Sequence, residues 1–119
     1  MVVLITLPLL RANTVDANGH MFTVEACQKM VDHWHAKRAI TTVARDFSPT
    51  PKAVGRVVGM HFDGVTVWVE LDNDAKALVE AEGLEAVAGG YFPTTDPVDG
   101  VQVIDQFALT RIALVKNKV

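Results

Sequence analysis

The chain has 119 residues, half of them hydrophobic and 21% charged, with a formal net charge of −3. That length fits one domain, residues 1–119, whose folding removes roughly two thirds of the unfolded surface from water. The composition excludes intrinsic disorder. The acidic balance leaves no basic face for a phosphate backbone, so nucleic acid is not an expected partner.

The opening run Val2 to Leu10 has no preceding positive charge, contains Pro8 and is too short to span a bilayer as a helix. It reads as a strand, and no membrane partner is expected. Asp16-Ala17-Asn18-Gly19 is a turn cluster. Thr23 caps a helix from about Val24 to His35, with Glu25 well placed at its N-terminus. Val24, Cys27, Met30, Val31 and Trp34 recur at three-four spacing and define one buried stripe.

Ala39 to Ala44 reads as a short strand, and two prolines make Asp46 to Pro51 a loop. Gly55 to Phe62 and Val65 to Leu71 alternate around Asp63-Gly64, the signature of a hairpin with a two-residue turn. In that register Phe62 faces Val65, Met60 faces Val67 and Val58 faces Val69 on an apolar side. The other side pairs His61 with Thr66, Gly59 with Trp68 and Val57 with Glu70, and turns Trp68 away from the core.

Asp72 to Asp74 cap a second helix, Ala75 to Glu82, which Gly83 ends. Ala86 to Phe92 is a strand whose Gly89-Gly90 pair permits a bulge, and Pro93 to Gly100 is a polar loop. Val101 to about Val115 holds two strands or one long bent strand. Six or seven strands, two helices and no regular β-α alternation define an α+β fold. The expected architecture is a curved antiparallel sheet or small β-barrel flanked by the two helices.

Few residues are equipped for chemistry. His33 and His35 lie about 200° apart around a helix and cannot chelate one ion, so they read as complements to the helix dipole. The Asp72-Asn73-Asp74 run lacks the glycine and glutamate of a calcium loop, and no Gly-Lys-Ser/Thr forms a phosphate loop. No cofactor and no metal are expected. Cys27 is the only cysteine, which excludes an internal disulfide and suits a reducing compartment, and its place on the apolar stripe makes it packing rather than nucleophile. Ser48, the only serine, has Asp46 nearby but no histidine adjacent in sequence, so no catalytic residue is assigned. Trp68, Tyr91 and Phe92 are candidates for a partner interface, although a tryptophan opposite Gly59 also serves to cover the bare glycine.

The order of these elements resembles the tailed-phage prohead maturation proteases, whose fold is shared with the herpesvirus capsid-assembly protease. Asn18-Gly19-His20-Met21-Phe22 ahead of a helix is similar to that family's Asn-Gly-Arg-Ile-Tyr type of segment. Gly55-Arg56-Val57-Val58 leading into an Asp-Gly hairpin resembles its central strands, Val87 to Tyr91 its serine strand, and Phe107 to Val115 its last strand. The resemblance implies the fold over nearly the whole chain, but Ala88 stands where the family's serine lies. Phe47 or Ser48, in Asp46-Phe47-Ser48-Pro49, takes the place of its histidine.

By analogy the chain is expected to be an inactivated protease relative that serves as a non-enzymatic structural protein of the phage capsid, a decoration or cement protein on the shell. Its partner would be the major capsid protein, its form a homo-oligomer and its location the virion, after assembly in the host cytoplasm. Apolar stretches at Val2 to Leu10 and Ile112 to Val119 are candidate oligomer contacts. Two alternatives stay open: an active maturation protease with displaced catalytic residues, and an internal scaffold of head assembly.

Overall fold

A computed structural model describes residues 4–16, 18–37, 40–45, 52–93 and 96–116. Ala39, the Asp46–Pro51 loop with Phe47 and Ser48, and the two extreme ends lie outside the described residues. Strands β1 (Ile5–Arg11), β2 (His20–Phe22) and β3 (Thr42–Arg45) alternate with helix α1 (Val24–Lys37) in the first half. Strands β4 (Ala53–Phe62) and β5 (Thr66–Leu71), helix α2 (Asn73–Glu82), and strands β6 (Glu85–Tyr91), β7 (Gln102–Ile104) and β8 (Ala108–Val115) follow.

Six strands form one strongly curled half-barrel sheet in the order β1-β5-β4-β3-β8-β6, and β2 and β7 pair separately. The α+β class with two flanking helices is as expected. The sheet is antiparallel except between β3 and β8, which run parallel, as do β2 and β7. The eighth strand is the short β2, whose three residues carry too little alternation to stand out before the helix.

The elements form for local reasons. Thr23 Oγ1 accepts the Ala26 N–H at 3.1 Å and opens α1, and Asp16 Oδ1 accepts the Asn18 and His20 N–H groups at 2.9 Å, which closes the turn before β2. Ala26, Cys27, Met30, Val31 and Trp34 are buried along α1; Val24 is 43% exposed, and Ala26 takes the inward position of the first turn instead. Two side chains of the last turn anchor the helix: Trp34 Nε1 donates to the Ile40 carbonyl, and His35 Nε2 bonds the Met60 carbonyl of β4, both at 2.7 Å. The Asp72 carboxylate caps α2, and Gly83 ends it in the left-handed region at φ 66°. A Cβ on Gly55 would fall 2.9 Å from Asp72 Oδ1, so the bare glycine of β4 lets the start of α2 sit directly on the sheet.

The hairpin departs from the expected register. Phe62 pairs with Val67, Met60 with Val69 and His61 with Trp68, two residues further out than a two-residue turn dictates. The cause is Asp63: its Oδ1 accepts both the Val65 N–H, at 2.8 Å, and the Thr66 N–H, at 2.7 Å, while its N–H donates to the Thr66 carbonyl. This side-chain capture opens the turn to four residues, and a shift of two leaves the apolar face facing inward. A register shift between Val57 and Gly59 then turns Val57 into the core and leaves Val58 41% exposed, the reverse of the expected pair. Trp68 therefore does not cover Gly59; the Glu70 carboxylate lies over that glycine.

The core joins α1 and α2 to the sheet through Leu9, Met60, Val67, Val69, Leu71 and Ile112, all 2% exposed or less. Ile112 to Leu114 are fully buried in it, so that part of the C-terminal apolar stretch packs the core instead of offering an oligomer contact. Among the described residues no helix is long and apolar enough to cross a membrane.

Candidate functional site

The two ends of the curled sheet, β1 and β6, approach with Cα atoms within 8 Å but are not hydrogen-bonded to each other. This seam holds a cavity of about 500 Å³. Leu9, Leu10 and Arg11 of β1 form one wall, and Val87, Ala88, Gly89 and Gly90 of β6 the other. Three phenylalanines, Phe22, Phe92 and Phe107, line its apolar side. Phe107 meets Phe22 edge to face at 5.1 Å and stacks near Phe92 at 6.5 Å, while the His20 ring stands edge-on to Phe92 at 5.2 Å. Thr14, Asp16 and Asn18 complete a polar rim.

The β6 wall owes its shape to its glycines. The register between β6 and β8 shifts between Gly89 and Gly90, and a Cβ on Gly90 would overlap the Ala108 carbonyl and come 2.8 Å from Phe107 Cζ. Only glycine allows this close approach. Ala88 pairs with Ile112 and is half-buried in the same wall.

The described lining of the seam holds no serine or cysteine. Ala88 presents a methyl group, and the one hydroxyl among the described lining residues, Thr14 Oγ1, donates to the Ala12 carbonyl at 3.3 Å. The Asp16 carboxylate is engaged by the backbone N–H groups of Asn18 and His20. Cys27 lies elsewhere, fully buried on the inward face of α1, and burial pushes its thiol up to about 11, far from a reactive thiolate. Inserting a strand between two edges needs roughly 9.5 Å, twice the usual strand spacing. At their closest, β1 and β6 leave less than that.

A second cleft of about 390 Å³ adjoins the first and shares Phe107 with it. Tyr91, Pro93, Gln106 and Ala108 line it on one side, and Lys29 and His33, one turn apart on α1, on the other. Of the three aromatic candidates, Phe92 lies in the seam and Tyr91, 75% exposed, in the second cleft. Trp68 lines neither; it sits on the outer face of β5 between Pro8 and His61, with Nε1 donating to Asp63 Oδ2 at 2.9 Å. Sequence reasoning missed the contribution of Phe22 and Phe107, because nothing local joins positions 22, 92 and 107. It also missed Lys29 and His33, whose i, i+4 spacing on the outer face of α1 was a usable signal.

The curled half-barrel with its two helices is a prohead-protease-like fold. Among solved structures the chain is similar to the capsid assembly protease of bacteriophage T4, with a TM-score of 0.73 and 18% sequence identity over 94% of this chain and 80% of that one. No protein-family model and no curated protein matches the sequence. At this identity the likeness is one of fold.

Proposed function

We propose that the chain is a non-enzymatic capsid protein that attaches, as a homo-oligomer, to the major capsid protein and stays in the virion. The observation that carries this reading is the β6 wall of the seam, where Ala88 occupies the place that the family resemblance gives to the nucleophilic serine. A methyl group there neither attacks a carbonyl nor exchanges a proton, while the cavity around it keeps the size and aromatic lining of a binding site. The protease-like fold supports the capsid as the setting, since the solved structure it resembles is that of a capsid assembly protease.

The test is sedimentation of the purified protein with capsids assembled without it, alongside a cleavage assay on capsid and scaffold proteins. Co-sedimentation without cleavage, and the protein's presence in mature particles by mass spectrometry, are the expected results. Failure to bind capsids overturns the reading. Cleavage that is lost in Ser48→Ala replaces it with a displaced active site, and absence from mature particles replaces it with an internal scaffold.

A further inference from the structure

The turn that enters β2 holds the only asparagine of the chain that is followed by glycine, Asn18-Gly19. An asparagine amide is open to attack by the backbone nitrogen of the next residue, and a glycine there has no side chain to obstruct the ring that forms. In this turn the glycine is also a requirement of the fold, because Gly19 sits in the left-handed region at φ 76°. Asn18 is exposed, so water reaches its side chain. Asp16 opposes the reaction. Its Oδ1 accepts the Asn18 and His20 N–H groups at 2.9 Å, and its carbonyl accepts the Gly19 N–H at 3.1 Å. One residue thus holds three consecutive N–H groups, and the middle one belongs to the attacking nitrogen. That nitrogen reacts only after losing its proton, and a proton held against a carbonyl is shielded from base until the turn opens. The chain's two Asp-Gly pairs, Asp63-Gly64 and Asp99-Gly100, present carboxylates, whose carbon is a poorer electrophile than that of an amide.

We propose that Asn18 is a site of spontaneous deamidation in the folded protein, and that Asp16 sets its rate by holding the turn closed. When the turn opens, the Gly19 nitrogen loses its proton to hydroxide and bonds to Asn18 Cγ. The Cγ–Nδ2 bond breaks, the proton returns to the leaving group, and ammonia departs from a five-membered succinimide. Water then adds to one of the two ring carbonyls, and the ring opens to aspartate or isoaspartate. The balance is one water in and one ammonia out, with no change of oxidation state. Either product places a new carboxylate close in sequence to Asp16, and isoaspartate lengthens the main chain by one methylene just before β2. The Gly19 carbonyl accepts the Gln102 N–H at 2.8 Å at the start of the β2–β7 pair, so that pairing is what the longer chain disturbs. The inference rests on this turn alone and is independent of what the protein binds.

The test is peptide mapping by mass spectrometry of the full-length protein held at mildly alkaline pH, with a blocked peptide of residues 14–22 as the open reference. Conversion at position 18 to aspartate and isoaspartate is expected in wild type, roughly tenfold slower than in the peptide. Asp16→Ala should convert several-fold faster than wild type. Asp16→Asn keeps an Oδ1 acceptor and should stay near the wild-type rate, which separates the grip on the turn from any action of Asp16 as a base. Four outcomes overturn the proposal: wild type converting as fast as the peptide, wild type not converting while the peptide is consumed, Asp16→Ala no faster than wild type, or Asp16→Asn as fast as Asp16→Ala. Should Asp16→Ala fail to fold, hydrogen exchange of the wild-type Gly19 N–H decides in its place. Protection that matches the slowing of deamidation relative to the peptide supports the proposal, and an unprotected Gly19 N–H overturns it.

Discussion

The β4–β5 hairpin and the β1–β6 seam are opposite ways of finishing a curled sheet. The hairpin is closed by neighbours in sequence: Asp63 alone gathers the Val65 and Thr66 N–H groups and the Trp68 indole. The seam brings together strands some eighty positions apart, without a hydrogen bond between them, and is held by Leu9, Ala88, Phe92 and Phe107. Local hydrogen bonding closes the turn from within, whereas packing alone leaves a cavity. The seam is therefore where the sheet stays open.

The sharpest way to break that contrast is Gly90→Ala. The added methyl overlaps the Ala108 carbonyl and Phe107, and should lower stability by about 3 kcal/mol, measured by urea denaturation. Modification of buried Cys27 by a thiol reagent reports whether α1 and the hairpin open with the seam. Faster Cys27 labelling in Gly90→Ala, in step with the lost stability, means that the two regions unfold as one unit. Unchanged labelling means that the seam opens alone.

A smaller effect is expected on the closed side. Asp72→Ala removes the cap of α2 and should cost about 1 kcal/mol, measured by urea denaturation. The smallest effect concerns Asp63. The Thr66 N–H above all, with the Trp68 indole and the Val65 N–H, holds its carboxyl down at about 2 against a usual 3.8. Because the folded value lies below the unfolded one, the contribution is present above pH 4 and is lost as pH falls towards 2. Thermal melts of wild type and Asp63→Asn should differ by a constant amount near neutral pH and converge as pH falls through that window.

Much of this fold was legible in the sequence where a residue's effect is local. The Thr23 and Asp72 caps, the Gly83 stop, the Cys27-Met30-Val31-Trp34 stripe and the glycine irregularity of β6 all follow from neighbours within four residues. The hairpin was legible as an element, but its register was not. Asp63 competed for the turn through its side chain, and Val57 and Val58, equal in propensity, exchanged faces at an irregularity that no pattern marks. The parallel pairing of β2 with β7 was hidden for a different reason: each strand is three residues long, and more than seventy residues separate them. Of the site, Tyr91 and Phe92 could be singled out as unusual aromatics. The cavity could not, because it exists only where two distant strands fail to pair.

The irregularities at the two ends of the sheet have a further effect. β1 carries Pro8, which has no N–H to offer, and its register shifts between Pro8 and Leu10; β6 shifts at Gly89 and Gly90. A free strand edge is a template for adding another copy of the same strand, and growth along it requires an unbroken row of donors and acceptors. Both edges here are interrupted. Edge-to-edge addition of further copies is thus disfavoured at both ends of the sheet, so the molecule can be crowded without propagating into a fibre.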